Sequence, residues 1–332
     1  DIWKHSVDNK VLNLWFYQDY DNWESMTLDY KLKYSDLIHT FIVWATRHGK
    51  DILMLNITTS ILKNIAKFDN SILHFFDTKW SDWKYLDWLE VYWIFRHKNK
   101  DKFDLLLDDI SKEIDSRQSK LWSFANIQKY NENNSDKMKE IFLIVNEFLD
   151  VSTFSNSNEI YSKIISLLSK WASVGLHVIL MSQTIRKDTH KLMWSVLVNI
   201  WNYFALKVNS KDEKDIVWKW LNSNERANLD NQIKYNCLNI ADNKIQKEFR
   251  AYLIEQETIR KWIEENFKIE NIFEDKKINS YYNYVMKNKS FVRKEAFENF
   301  NLNQKQWEII KTKLIEINAI EDFPWKGYIF KE

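Results

Sequence analysis

Three short segments carry residue types whose chemistry depends on where they sit. The first is Trp44-Ala45-Thr46-Arg47-His48-Gly49-Lys50-Asp51-Ile52, between an apolar run and an amphipathic stretch. The phosphate-binding pattern G-x-x-x-x-G-K-[ST] occupies that same place, between a strand and a helix. The segment matches it at Gly49 and Lys50 and departs at both ends. Backbone N–H groups and the helix N-terminus would hold phosphate oxygens there, with Lys50 on the terminal ones. The second is IFLIVNE from Ile141, an apolar strand that brings Asn146 and Glu147 to the edge of a sheet. At such an edge an Asp normally helps hold Mg²⁺, and a Glu orients or deprotonates an attacking water. The third is Ser182-Gln183 at the end of the next apolar run, where Gln183 could sense a terminal phosphate. Each alone is ordinary strand-end chemistry; in this order and spacing they read as one site.

The elements that must position them follow from the apolar pattern. Buried strands are predicted at 38–43, 72–76, 141–145, 176–181, 203–208, 235–240 and 249–254, with helices from about Gly49, at 102–117, at 159–172 and near 211–220. Alternating strands and helices with apolar strands imply an α/β fold with a mainly parallel sheet. After a polar stretch at 256–275, read as a linker, residues 276–332 give helices at 279–287, 293–300 and 304–318. Two strands follow, at 319–323 and 328–331. This is the pattern of a winged helix-turn-helix, and the tail carries 11 Lys/Arg against 7 Asp/Glu in a chain whose net charge is only +1. The basic excess therefore lies on the module shaped to touch DNA, with Lys305, Gln306 and Lys311 on its third helix facing phosphates or base edges.

Composition closes off several classes. The 332 residues are 45% apolar and 29% charged, enough for a core and about two domains. One cysteine excludes an internal disulfide and any cysteine-based zinc site, and the seven histidines lack HxxH or HExxH spacing. No apolar run approaches the ~18 residues that span a bilayer. A first residue of Asp1 with no signal-peptide pattern reads as a piece of a longer gene product.

Taken together, ATRHGKD at 45–51, FFDTK at 75–79, NIQKYNE at 126–132, IVNEFLD at 144–150, GLHVILMSQ at 175–183 and FALKVNSKDEKDI at 204–216, with His39 ahead of the first strand, resemble the motor domain of the FtsK/SpoIIIE DNA translocases. The match runs over about 37–255. That resemblance implies a RecA-like P-loop NTPase core over 1–255 that binds ATP and Mg²⁺ and assembles as a hexameric ring. It implies hydrolysis of ATP to pump double-stranded DNA in chromosome segregation. The motor would be cytoplasmic, with a membrane anchor outside this segment, and the winged helix at 276–332 would read DNA. The tail lacks the family's YNRA signature, which puts sequence-specific reading in doubt. In the implied site Lys50, Glu147 and Gln183 are catalytic, residues 44–52 hold ATP, and Arg117 or Arg186 is a conceivable arginine finger.

Two departures and one anomaly remain. Asp51 replaces the Ser/Thr that ligates Mg²⁺, and Asn146 replaces the strand-end Asp. The losses are complementary, so a swapped shell is expected, with Asp51 as direct ligand and Asn146 as its neutral partner. Decay to a non-hydrolysing, nucleotide-responsive DNA-binding protein is the alternative, as is a related conjugation or secretion ring ATPase. The anomaly is compositional: 3 glycines where ordinary usage gives roughly 23, and 17 tryptophans. Trp44, Trp122, Trp171 and Trp194 stand where the family favours glycine, and Trp80, Trp83, Trp218 and Trp220 lie in polar or turn-like settings. The expectation is that many of them are UGA codons translated as glycine in the source organism, whereas Trp307, inside a helical pattern, is genuine.

Overall fold

The computed structural model describes residues 8–17, 27–37, 39–43, 49–77, 83, 86, 89, 94–97, 102–169, 172–182, 195–206, 221–224, 236–242, 244–251, 255–267, 276–288, 290–316, 319–323 and 327–330. In chain order they form β1 (Val11–Tyr17), β2 (Thr27–Lys33), β3 (Thr40–Val43), α1 (Lys50–Phe68), β4 (Ser71–Asp77), β5 (Ile94–His97), α2 (Phe103–Lys120), α3 (Ile127–Asn133), β6 (Glu140–Asn146), α4 (Ser157–Ser169), β7 (Leu176–Ser182), β8 (Asn202–Leu206), β9 (Asn236–Ala241) and β10 (Lys244–Ala251). There follow α5 (Gln256–Asn266), α6 (Lys276–Asn288), α7 (Arg293–Glu298), α8 (Gln304–Glu316), β11 (Ile320–Phe323) and β12 (Gly327–Phe330). The chain divides into two compact units, Asp1–Asp82 with Arg96–Ile259 and Trp83–Phe95 with Arg260–Glu332.

The first unit is built on a mixed sheet ordered β2-β1-β10-β9-β8-β3-β7-β6-β4-β5. Its middle block, β8-β3-β7-β6-β4, is parallel throughout. These strands read as unbroken apolar runs because both faces are covered: every residue of β3, β6, β7 and β8 is buried. One strand, β7, lies between β3 and β6, so the ends of all three open on the same edge.

Beyond β8 the sheet turns antiparallel, unlike the parallel continuation the sequence suggests. β9 pairs antiparallel with β8, and β10 folds back on β9 with Lys244 opposite Ala241. Asp242 supplies the left-handed backbone, at φ 51°, that so tight a turn requires. The β1–β2 hairpin, which the apolar pattern did not predict, then extends the sheet past β10.

Helix α1 is buried nearly all round, polar residues included. Asn64 explains part of that: its amide donates to the Val11 carbonyl at 2.9 Å, and its oxygen accepts from the Lys10 backbone at 3.0 Å. The helix is thereby tied to the hairpin that the sequence reading missed. Arg117 makes a similar strut. Its guanidinium donates to the backbone oxygens of Lys139 at 2.7 Å and Val174 at 3.1 Å, and to Glu113 at 2.8 Å.

In the second unit three helices and a two-stranded antiparallel hairpin surround their own core. Phe291 stacks on Trp307 at 5.1 Å and 5° between planes. The Tyr281 hydroxyl donates to the Val292 carbonyl at 2.8 Å and accepts from its N–H at 3.1 Å. The stretch read as a linker begins with a helix, α5, because Ile259, Ile263 and Phe267 recur on one face and are buried. Among the described residues no helix is long and apolar enough to cross a membrane.

Candidate functional site

The parallel block presents the C-terminal ends of β3, β4, β6 and β7 along one edge, and the start of α1 lies beside them. Gly49 is the residue before α1 and takes φ 97°, ψ 16°. A side chain is strained in that conformation, so glycine is what lets the loop turn into the helix. The first helical residue is then Lys50, whose ammonium is drawn inside rather than left in water.

Among the described residues three oxygens lie about that ammonium: Glu147 Oε1 at 3.1 Å, Asp51 Oδ1 at 3.1 Å and Asn146 Oδ1 at 3.3 Å. Lys50 and Glu147 are both largely buried, whereas the Asp51 side chain is 61% exposed at the lip. Glu147 follows β6 in left-handed backbone, at φ 58° and ψ 61°, and opens a short 3-10 turn over Phe148–Thr153. A non-glycine residue there is a local cost that packing must offset. In return, the carboxylate stands over the sheet edge against Lys50.

Behind Asn146 lies a pair that the sequence reading left out or left undecided. Asp77, at the end of β4, is the register partner of Asn146 and accepts its amide at 3.2 Å. Arg96 on β5 donates to the other Asp77 oxygen at 2.8 Å, with both side chains almost wholly buried. The available signal was one arginine inside the apolar run VYWIFRH. It could not be weighed without knowing that β5 lies beside β4.

The site has a buried cation at a helix N-terminus, with oxygens of the described residues at 3.1–3.3 Å. Phosphate oxygens can replace these partners, and the backbone N–H groups of the first turn of α1 add donors. A magnesium ion would find Asp51 and Asn146 near the same ammonium. No group of three or more His, Cys, Asp or Glu is placed to hold a metal among the described residues. Phosphate oxygens and water would have to complete its shell.

No protein-family model and no curated protein matches this sequence. Solved structures do match in fold. The pCW3 conjugation coupling protein TcpA, in monomer form with ATPγS, is 14% identical with a TM-score of 0.60, over 78% of this chain and 70% of that one. EssC ATPases 2 and 3 of Geobacillus thermodenitrificans are 14% identical with a TM-score of 0.57, over 80% of this chain and 50% of that one. The cytoplasmic domain of the type VII secretion ATPase EccC of Thermomonospora curvata is 15% identical at 0.54, over 75% of this chain and only 30% of its own length. The chain shares the fold of these proteins.

Residues 44–48, Gln183 and Arg186 lie outside the described residues, as do Trp80, Trp171, Trp194, Trp218 and Trp220. Ser182, just before Gln183, is buried at the end of β7 and pairs in register with Val43. Ile52 sits in the first turn of α1. Arg117, considered as a finger, is tied to backbone oxygens within its own chain.

On α8, Lys305 is exposed, while Lys311 lies 5.7 Å from the Trp307 ring centre and 3.8 Å from Glu308. Gln306 instead caps its helix: its oxygen accepts from the Asn303 N–H, and its own N–H donates to the Asn303 side chain, both at 3.0 Å. A cavity of about 780 Å³ opens at the far edge of the sheet, where His39 precedes β3 and Asn202 begins β8. It is remote from Lys50 and Glu147, at the opposite ends of the parallel strands.

Proposed function

We propose that the chain is the motor of an ATP-driven double-stranded DNA translocase of the FtsK/SpoIIIE type, working as a homo-hexameric ring in chromosome segregation. The observation that carries this reading is the convergence of Lys50 and Glu147 at the edge of the parallel block. It supports the reading because an ammonium able to bind phosphate stands against a carboxylate able to orient water. In the assembled ring Lys50 holds the terminal phosphates, Glu147 directs the water, and Gln183 couples loss of the terminal phosphate to movement against DNA. Residues 276–332 act as a winged helix whose basic face, with Lys305 and Lys311, meets the duplex. The motor works in the cytoplasm.

The test is ATP hydrolysis with and without DNA. Stimulation by duplex more than by single strands is the expected result. Preference for single strands would favour a conjugation-type motor, a reading the fold neighbours also support. Nucleotide binding without hydrolysis would favour a DNA-binding scaffold.

Mg²⁺ takes Asp51 as direct ligand and Asn146 as a neutral partner. Both lie within 3.3 Å of Lys50 Nζ, which supports the pairing. Asp51→Ser is expected to weaken Mg·ATP binding, and adding Asn146→Asp together with Asp77→Asn, which removes the carboxylate facing residue 146, to restore it. A triple variant no better than the single one rejects the swap.

In the same reading many tryptophans are glycines in the source organism. Trp122 is 92% exposed in the turn after α2, an unusual place for the largest side chain. Trp307 is buried against Phe291 and reads as genuine, and Trp83, buried too, is a weaker candidate than its sequence setting suggested. Peptide mass spectrometry of native protein across residue 44 is the test. Glycine leaves the phosphate loop whole, and tryptophan moves the scaffold reading ahead.

A further inference from the structure

The side chains of Arg96, Asp77, Asn146 and Lys50 form an unbroken line from β5 across β4 and β6 to the start of α1. The contacts are 2.8 Å, 3.2 Å and 3.3 Å in that order. Each side chain in the line is buried. The chemistry of the ends dictates the middle. Lysine can only donate and an ionised carboxylate can only accept, so the Asn146 amide has one orientation that serves both, with its oxygen to Lys50 and its nitrogen to Asp77. Arg96 holds the second oxygen of Asp77 and so keeps the first one pointed at Asn146.

The same line accounts for a neutral residue where a strand-end carboxylate is expected. A carboxylate at 146 would stand about 3 Å from Asp77 in a buried setting, where like charges repel strongly. The negative charge that this strand end lacks is present one strand away.

We propose that Asp77 and Arg96 are positioning residues of the nucleotide site: they orient Asn146 toward Lys50, and Asp77 supplies from β4 the carboxylate that β6 does not carry. The inference rests on reading Lys50 as the phosphate-binding lysine. It makes positions 77 and 146 a single unit in which one acid and one amide are required, and the two can be exchanged.

The experiment is a double-mutant cycle on the full chain, with binding of a fluorescent ATP analogue measured with and without Mg²⁺ and thermal unfolding followed in parallel. Asn146→Asp alone is expected to lose about tenfold in affinity, the effect of one modest like-charge contact. Asp77→Asn alone leaves Arg96 without its carboxylate and also loses affinity. The exchange, Asp77→Asn with Asn146→Asp, restores one acid and one amide and returns affinity to within about threefold of the wild type.

If Asn146→Asp fails to fold while the exchanged protein folds and binds, the result supports the inference equally well. Wild-type binding with an exchanged protein no better than Asn146→Asp overturns the inference while leaving the nucleotide site standing. Wild-type protein that binds no analogue overturns the nucleotide reading, and the inference with it. A purely packing role predicts additive losses and no restoration.

Discussion

Glu147 and Lys50 neutralise one another at the edge of the parallel block, and this pairing decides what each substitution does. Two charges drawn largely out of water are costly unless well paired, and removing one partner leaves the other uncompensated. In the proposed function the pair also competes with substrate, because a phosphate group would have to take Lys50 from Glu147. Glu147→Gln is therefore expected to keep nucleotide binding, since it removes that competitor, while hydrolysis falls by about 10² to 10⁴-fold with the loss of the group that directs water. Lys50→Ala is expected to lose binding itself. Equilibrium binding of a nucleotide analogue, compared with phosphate release, separates the two.

Among the elements, β6 and β7 are held at their far ends by contacts with little tolerance. Gly175, just before β7, has φ 75°, and a Cβ there would lie 2.5 Å from Glu140 Oε2 and 2.8 Å from Ile127 Cδ1. Glu140 is fixed in turn by Lys10 at 2.6 Å and His177 at 3.3 Å. Burial alone would raise its carboxyl, but these partners hold it down at about 2. Gly175→Ala should cost on the order of 1–3 kcal/mol, read as a lower denaturation midpoint at unchanged slope.

The strands also carry an acid sensitivity. His74 on β4 and His97 on β5 meet nitrogen to nitrogen at 3.1 Å, so one ring donates and the other must be neutral to accept, and both cannot be charged together. Burial lowers His74 to about 3, with His97 adding to the shift, and lowers His97 itself to about 4. His39 is lowered to about 4 by burial and then by His177. The unfolded chain takes up protons below pH ~6.5 that the folded chain refuses. The contribution of these groups is thus complete above that pH and is lost as pH falls toward 4 and below. Thermal unfolding at a series of pH values should show the decline, and His97→Gln should make it shallower.

At the scale of the molecule, charge and fold separate the work. The nucleotide residues belong to the unit with the parallel block, while the basic excess lies in 276–332, whose helices and hairpin bury their own core. Deleting 276–332 should leave nucleotide affinity near the wild type and weaken DNA stimulation. It should also flatten the dependence of DNA binding on salt, because fewer phosphates are neutralised. Titration of labelled duplex at several salt concentrations measures that slope, and an unchanged slope would assign DNA contact to the motor instead.

The parallel strands, α1 and the positions of Lys50 and Glu147 were legible because they depend on local pattern. Buried parallel strands must be apolar throughout, and a glycine-lysine pair between such a strand and a helix has few other uses. The Asn146 departure was also visible, but its reason was not. That reason lies in Asp77 and Arg96, which are 69 and 50 residues distant in sequence and reach Asn146 only through the order β5-β4-β6. The hairpin β1–β2 and the antiparallel turn of the sheet were hidden for the same cause, since pairing partners far apart leave no local period. Sequence by itself determined at which strand ends the polar and charged residues gather. Tertiary structure decided which charges meet there, because electrostatic neighbours are set by strand order rather than by chain position.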